Sequence, residues 1–99
     1  MDWNPSDHDR VVATSEAVAC EFGAGLALLH LKSNVYYSLN SVGAFIWAQI
    51  QEPRSVLDVR SAVLARYNVD DERCKADVEG LLKGLTEAGL ARLHREELV

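Results

Sequence analysis

The first forty residues carry the two-residue periodicity of β-strands. Apolar side chains occupy alternate positions near the end of the stretch 11–22, at Val18, Cys20 and Phe22. Ser15 and Glu16 indicate a bend within that stretch. The alternation returns in residues 26–32 and 35–39, separated by a polar pair short enough for a hairpin turn. The pattern predicts three strands, the last two forming an antiparallel hairpin.

Beyond residue 40 the apolar positions recur at intervals of three and four, the spacing of one helix face. This periodicity predicts helices over residues 42–50, 56–67 and 71–88. Asn40 or Ser41, Ser55 and Asp70 are suited to the N-cap positions, because their side chains can accept hydrogen bonds from free backbone N–H groups. Gly89 is suited to the position after the last helix, where a left-handed backbone is common.

The order of three strands and then three helices predicts the α+β class, with a three-stranded antiparallel sheet followed by the helices. A length of 99 residues fits one domain, expected over residues 11–93. A flexible polar lead-in is expected over residues 1–10 and a short tail over 94–99. No signal peptide or membrane-spanning apolar run is visible, so a cytoplasmic location is expected.

Charge and reactive side chains argue against several function classes. The net charge is −5 and the ten Lys and Arg residues are scattered, which disfavours nucleic acid or an anionic membrane as the main partner. Cys20 and Cys74 form no CxxC pair and are expected to be reduced thiols. His8, His30 and His94 lack partners at metal-ligand spacing. We therefore expect a protein without catalytic residues, metal or cofactor.

The third predicted strand ends the meander, so one of its edges is expected to be unpaired. The segment Val-Tyr-Tyr-Ser-Leu is aromatic and uncharged, which leaves that edge poorly protected against pairing. A recurring use of such an edge is the addition of a partner peptide as an extra strand. The apolar stripe of the last helix would supply the wall of a groove. The sequence therefore predicts a peptide-binding domain.

Three sequence segments carry a resemblance to a known family. They are LLHLKSNVYYSLNSVGAFIW, SVLDVRSAVLARYNVD and DVEGLLKGLTEAGL, which lie within residues 28–90. Together they resemble the PqqD-like family, the RiPP recognition elements, small domains that bind the leader segment of a ribosomally made precursor peptide. His30 departs from the acidic residue that many relatives carry there, and we attach no function to it.

The resemblance implies a winged helix-turn-helix-like fold, with the leader docked as a strand on the third strand and against the third helix. Carried over by position, the peptide-binding residues are Val35, Tyr36, Tyr37, Ser38, Leu39, Cys74, Asp77, Val78, Leu81 and Leu85. Which of these face the cleft and which face the core stays open at this point. Core positions are expected above all at Leu39, Trp47, Val59 and Leu82.

Within the family, the chain is similar to two free-standing types. The favoured one is the leader-binding protein of lasso-peptide pathways, whose partners are a leader peptidase and a cyclase. The other is the peptide chaperone of pyrroloquinoline quinone synthesis. Two alternatives of other classes are a winged-helix nucleic-acid-binding protein and a structural subunit that forms a homodimer through the edge of the third strand.

Overall fold

The structure, a computed structural model, describes residues 6–95. Its elements in chain order are β1 (Arg10–Ala13), β2 (Ala17–Phe22), β3 (Gly25–His30), β4 (Tyr36–Leu39), α1 (Ser41–Gln49), β5 (Arg54–Ser55), α2 (Val56–Arg66), α3 (Asp71–Glu87) and β6 (Ala91–His94). The predicted α+β class is confirmed. The outer parts of the expected lead-in and tail, residues 1–5 and 96–99, lie outside the described residues.

The strands form two antiparallel sheets of three strands each, where the sequence predicted one. The order in one sheet is β2-β3-β4, as predicted for the meander, and in the other it is β5-β1-β6. The first predicted strand is in fact two strands, because the chain turns at residues 14–16. The Glu16 N–H there donates to Thr14 Oγ1 at 3.3 Å, and the Thr14 N–H donates to the Leu90 carbonyl at 2.9 Å. These bonds direct β1 away from β2.

Residues 91–94, at the junction of the expected domain and its tail, form strand β6, which the sequence pattern did not predict. This strand pairs along the whole of β1, from Arg10 opposite His94 to Ala13 opposite Ala91. Ala91 is buried and Leu93 packs against the core. Each of these strands is only four residues long, which is too short for a clear alternation of apolar and polar residues. Each also depends on the other strand for its hydrogen bonds.

The helix boundaries follow the local signals in the sequence. Asn40 caps α1, its Oδ1 accepting from the Gly43 N–H at 2.8 Å. Ser55 caps α2, its Oγ accepting from the Asp58 N–H at 3.0 Å. After α3, Gly89 has φ +77°, the left-handed conformation expected of it. Asp70 is the N-cap residue of α3, but its side chain makes no capping hydrogen bond. The caps of α1 and α2 therefore fix where these two helices start relative to the strand before them.

The core lies between the helices and one face of the β2-β3-β4 sheet. Its members include Leu28 of β3, Ile46 of α1 and Val78 of α3. The predicted core positions Leu39, Trp47, Val59 and Leu82 are all buried, which confirms them. The helical layer covers β3 and β4, whereas the side chains of β2 are exposed from Val18 onwards.

The second half of the expected lead-in has defined contacts with α2. The Val56 N–H donates to the Asp9 carbonyl at 2.9 Å, and the Arg60 guanidinium donates to the Asp7 carboxylate at 3.2 and 3.4 Å. The hydrogen bond from Arg60 lowers the pKa of Asp7 below its ordinary value. These contacts hold residues 7–9 against the start of α2.

Candidate functional site

Strand β4 has one free edge, and the register shows which backbone groups point to it. The His30 N–H donates to the Val35 carbonyl at 2.9 Å, and β3 and β4 continue in that register with Leu28 opposite Tyr37. In an antiparallel ladder hydrogen-bonded pairs alternate with non-hydrogen-bonded pairs. The N–H and C=O groups of Tyr36 and Ser38 therefore point away from β3. No strand within residues 6–95 pairs with them.

The side chains of β4 divide between the two faces of the sheet. Tyr37 and Leu39 turn towards the helices and pack in or against the core. Tyr36 turns to the outer face and is 64% exposed. The two residues whose backbone groups are free, Tyr36 and Ser38, thus have side chains that face solvent, while their neighbours attach the strand to the core.

Beside this free edge lies a cleft of about 540 Å³. Its lining residues are Tyr37, Ser38, Leu39, Asn40, Val42, Gly43, Ile46, Val63, Tyr67, Val69, Cys74, Ala76, Asp77, Val78, Gly80 and Leu81. The strand supplies one side, α3 supplies the opposite side, and α1 and the end of α2 supply the floor. Most of these side chains are apolar, so the cleft is suited to apolar groups entering beside an extended backbone.

Helix α3 presents an apolar wall with a charged rim. Val78 is buried at the base of the wall and Leu81 is partly buried above it. Asp77 is 69% exposed at the rim, and its carboxylate lies 3.7 Å from the Arg73 guanidinium one turn earlier. An ion pair this exposed contributes little to stability, which leaves Asp77 available to a charged or polar group at the mouth of the cleft.

Tyr37 crosses from β4 to α3 and closes one end of the cleft. Its hydroxyl lies so near Gly84 that a Cβ atom at position 84 would collide with it. The cleft-lining residues of α3 end at Leu81, before this contact. Gly84 therefore allows Tyr37 to span the gap, and the tyrosine sets the distance between the strand and the helix.

The floor of the cleft is tightly packed. A Cβ atom at Gly43 would lie only 3.2 Å from the Leu39 side chain, so the absence of a side chain lets α1 approach β4 closely. The Tyr67 ring packs edge-on against Phe45 with centroids 5.7 Å apart, and the Arg66 guanidinium lies 5.8 Å from both rings. Such contacts favour a preformed cleft over one that must assemble around its ligand.

The residues proposed from the sequence separate into two groups in the structure. Those that line the cleft are Tyr37, Ser38, Leu39, Cys74, Asp77, Val78 and Leu81. Val35 lies before β4, where its carbonyl accepts the hydrogen bond from His30, and Tyr36 faces the outer side of the sheet. Leu85 is completely buried in the core.

Cys74 belongs to the base of the wall. Its thiol is buried and donates to the Arg60 carbonyl at 3.7 Å. Burial, followed by the charge of Asp71, raises the pKa of this thiol above its ordinary value. The group is therefore protonated at neutral pH and acts as a small apolar side chain.

Sequence reasoning missed the floor of the cleft. The residues concerned are Val42, Gly43, Ile46, Val63, Tyr67 and Val69. Their spacing marked them only as helix-face or loop positions, because an apolar residue that lines a cleft has the same periodicity as one in the core. Tyr67 and Val69 lie at the end of the family-like segment SVLDVRSAVLARYNVD, which was the one available signal.

Among residues 6–95, no group of three or more His, Cys, Asp and Glu side chains is arranged to hold a metal ion. None of the helices in that range has the length and apolar character needed to cross a bilayer.

Comparison with known proteins places this geometry in a family. A search of curated protein sequences found no match. The solved structure of TbiB1 in complex with the TbiA(beta) leader peptide has a TM-score of 0.73 and 26% identity, covering 82% of this chain and 94% of that chain. Lasso peptide synthetase B1 complexed with the leader peptide gives 0.70 and 26%, covering 83% and 96%. The family model of coenzyme PQQ synthesis protein D matches residues 25–91. The chain therefore belongs to the PqqD family.

Proposed function

We propose that this chain is a non-catalytic recognition protein that binds the leader segment of a ribosomally synthesised precursor peptide. The leader adds to β4 as an extra antiparallel or parallel strand and packs against α3. One observation carries the proposal: the free N–H and C=O groups of Tyr36 and Ser38 form an open strand edge, and Ser38 also lines the apolar cleft beside it. This is the arrangement that strand addition uses.

Backbone hydrogen bonds to β4 supply affinity, and side-chain contacts within the cleft supply specificity. Each backbone hydrogen bond to Tyr36 or Ser38 contributes about 0.5–1.5 kcal/mol net, whatever the peptide sequence. Alternate side chains of the added strand then point towards the helices, into the space between Tyr37 and Leu81. Apolar residues at those alternate positions of the leader supply the selective part of the binding free energy.

The protein delivers its bound peptide to modifying enzymes, and we favour a lasso-peptide pathway with a leader peptidase and a cyclase as the receiving enzymes. Two similar solved structures are leader-peptide complexes of B1 proteins, which supports this choice. The peptide chaperone of pyrroloquinoline quinone synthesis is the alternative that the family description favours. A precursor gene beside a protease gene and a synthetase-like gene would select the first pathway.

A non-catalytic role agrees with the chemistry of the cleft. The thiol lining it, that of Cys74, is protonated and hydrogen-bonded to a carbonyl, which makes it a poor nucleophile. The carboxylate at the rim, that of Asp77, is exposed beside Arg73. The cleft residues thus supply shape and hydrogen bonds for binding.

The test is a titration of isotope-labelled protein with the leader peptide encoded beside its gene, followed by NMR. We expect the amide signals of Tyr36, Ser38 and the α3 residues Asp77 and Leu81 to shift. Signals of β2 should stay in place. Shifts confined to other surfaces, or no shifts at millimolar peptide, would show that β4 is not the binding edge.

A substitution gives a second test of the same edge. Tyr36→Pro removes one outward N–H that the protein's own sheet does not use, so binding is expected to be lost while the fold persists. Circular dichroism and a thermal melt check the fold. Retention of native affinity by a folded Tyr36→Pro variant would contradict strand addition at this residue.

A further inference from the structure

The sheet has a second free edge, on β2, at the opposite side from the cleft. The Leu31 N–H donates to the Glu16 carbonyl at 2.9 Å, and the register continues with Val18 opposite Leu29. By the same alternation as on β4, the N–H and C=O groups of Ala17, Ala19 and Glu21 point away from β3. In the described part of the chain, β2 pairs with β3 alone.

The surroundings of this edge differ from those of β4. No wall flanks β2: Val18 is 44% exposed and Phe22 is 71% exposed on the outer face, and Ala19 and Glu21 are exposed on the other face. The edge lacks proline and lysine, two common protections against strand pairing. Its one charge is that of Glu21. A complete sheet can approach here without meeting a helix.

We propose that two copies of the chain associate by antiparallel pairing of their β2 strands, which creates a six-stranded sheet with a two-fold axis at Ala19. In this register Ala19 lies opposite the partner's Ala19, and Ala17 lies opposite the partner's Glu21. All three outward-facing residues then pair, giving about six backbone hydrogen bonds. This association is separate from the proposed peptide binding.

Self-complementary backbone hydrogen bonding, without repulsion between like charges, selects a second copy as the occupant. In a two-fold pairing, residues whose backbone N–H and C=O groups point outward must lie opposite each other. Ala17, Ala19 and Glu21 are spaced symmetrically about Ala19, so a two-fold axis there satisfies this condition. The proposed register sets each Glu21 carboxylate against an alanine methyl group. A register centred on Glu21 would oppose two carboxylates, and registers centred on Val18 or Cys20 would lose one of the pairs.

The outer face of the sheet supports the same register. Val18 then stands beside the partner's Cys20 at a non-hydrogen-bonded position, where Cα atoms are about 4.5 Å apart. The exposed row of Tyr36, Leu29 and Val18 continues directly into the Cys20 row of the partner. The pairing therefore covers part of the apolar side chains that the free β2 edge leaves in solvent.

Association through β4, the homodimer considered from the sequence, is less favourable on geometric grounds. A two-fold axis perpendicular to the sheet places both copies of α3 on the same face. At β4, α3 borders the edge across a cleft that accepts a single strand, so the two helices would meet. In the β2 dimer both β4 edges lie at the ends of the six-stranded sheet and stay open for peptide.

The first test is sedimentation velocity of the full chain from about 10 µM to about 1 mM, since a strand-edge contact is small and a dissociation constant on the order of 100 µM is expected. The mean mass should rise from 10.9 kDa towards twice that value. Ala19→Lys opposes two like charges at the axis and should weaken association about fivefold. A constant monomer mass, or an unchanged dissociation constant in a folded Ala19→Lys variant, would overturn the proposal.

A cross-linking experiment tests the register. Val18→Cys sets a thiol opposite the partner's Cys20, at a separation that a disulfide can bridge. Under mild oxidation this variant should form a covalent dimer on a non-reducing gel. Ser61→Cys, at an exposed position of α2, is the matched control and should form far less. Equal cross-linking of the two variants would contradict the β2 register.

Discussion

The two free edges of the β2-β3-β4 sheet share a backbone pattern and differ in what stands beside them. At β4 the outward groups of Tyr36 and Ser38 border a cleft closed on its far side by α3. At β2 the outward groups of Ala19 and Glu21 have solvent on both sides. A strand edge beside a helix has room for one added strand, whose side chains then contact that helix. A strand edge with no helix beside it has room for a whole second sheet. Neighbouring structure thus decides the kind of partner that an unpaired strand binds.

The core-facing residues of the two strands account for this difference. Tyr37 and Leu39 on β4 attach that strand to the helical layer, and Asn40 starts α1 immediately after it. The corresponding positions on β2 are Ala19 and Glu21, which are too small or too polar to hold a helix over them. Consequently α3 can stand beside β4 and has nothing to pack against at β2.

The largest expected effect separates the edges by one matched substitution. Ser38→Pro removes an outward N–H on β4 and places a ring in the path of the added strand, so peptide affinity should fall roughly a hundredfold. Ala19→Pro makes the same change on β2 and should leave peptide affinity unchanged. Isothermal titration calorimetry measures both. Equal losses would mean that the two edges are not functionally distinct.

A second effect concerns the wall that distinguishes β4. Leu81→Ala removes apolar surface from the cleft and should weaken peptide binding about tenfold, from roughly 1.4 kcal/mol of lost burial. Leu29→Ala makes the same truncation on the outer face of the sheet and serves as the control. Thermal melts of both variants separate stability from binding. If Leu29→Ala weakened binding as much, the cleft would not be the specific surface.

Two glycines of α3 allow a test of whether Tyr37 sets the distance between β4 and α3. A Cβ atom at Gly80 meets no atom within 4 Å, so Gly80→Ala should raise the free energy of unfolding by about 1 kcal/mol through helix propensity. Gly84→Ala has the same propensity gain but displaces Tyr37, and should gain clearly less. Urea denaturation compares the two. An equal gain at both positions would show that the tyrosine does not set the spacing.

The smallest expected effect concerns the ion pair between Asp7 and Arg60 of α2. Helix α2 packs against α3 and so supports the wall of the cleft. Arg60 lowers the pKa of Asp7, so this pair stabilises the fold above the ordinary pKa of Asp7, and the contribution disappears as the pH falls through the lowered value. Asp7→Asn should therefore lower the Tm slightly at pH 7, and the difference should shrink as the pH falls below the ordinary pKa of Asp7. The Asp7 side chain is about half exposed, so the shift is small. A difference that persists in acid would point to packing.

Much of the local structure was predictable because its causes are local. The caps at Asn40 and Ser55, the left-handed Gly89 and the helix over Asp71–Glu87 each follow from residues within one or two turns. The hairpin of β3 and β4 followed from alternation and a short polar loop. Strand β6 was missed because its hydrogen bonds go to β1 near the other end of the chain.

The candidate site was predictable only in part for a similar reason. Sequence alternation identified the β4 segment, and the family phrases identified α3. Periodicity alone did not separate Leu81, which lines the cleft, from Leu85, which is buried beneath it. It also gave no reason to select Ile46 or Tyr67, which come from other helices. A cleft is the space left between elements, and local patterns contain no information about that space.

The sequence by itself determined the periodicity of each element, the caps, the apolar core positions and the uncharged aromatic strand, since these depend on near neighbours and side-chain chemistry. Only the tertiary structure decided that β1 leaves the first sheet, that Tyr36 and Ser38 point their backbone groups outward beside α3, and that β2 has no such neighbour. The physical reason is that pairing, burial and the width of a gap arise from contacts between residues far apart in the chain.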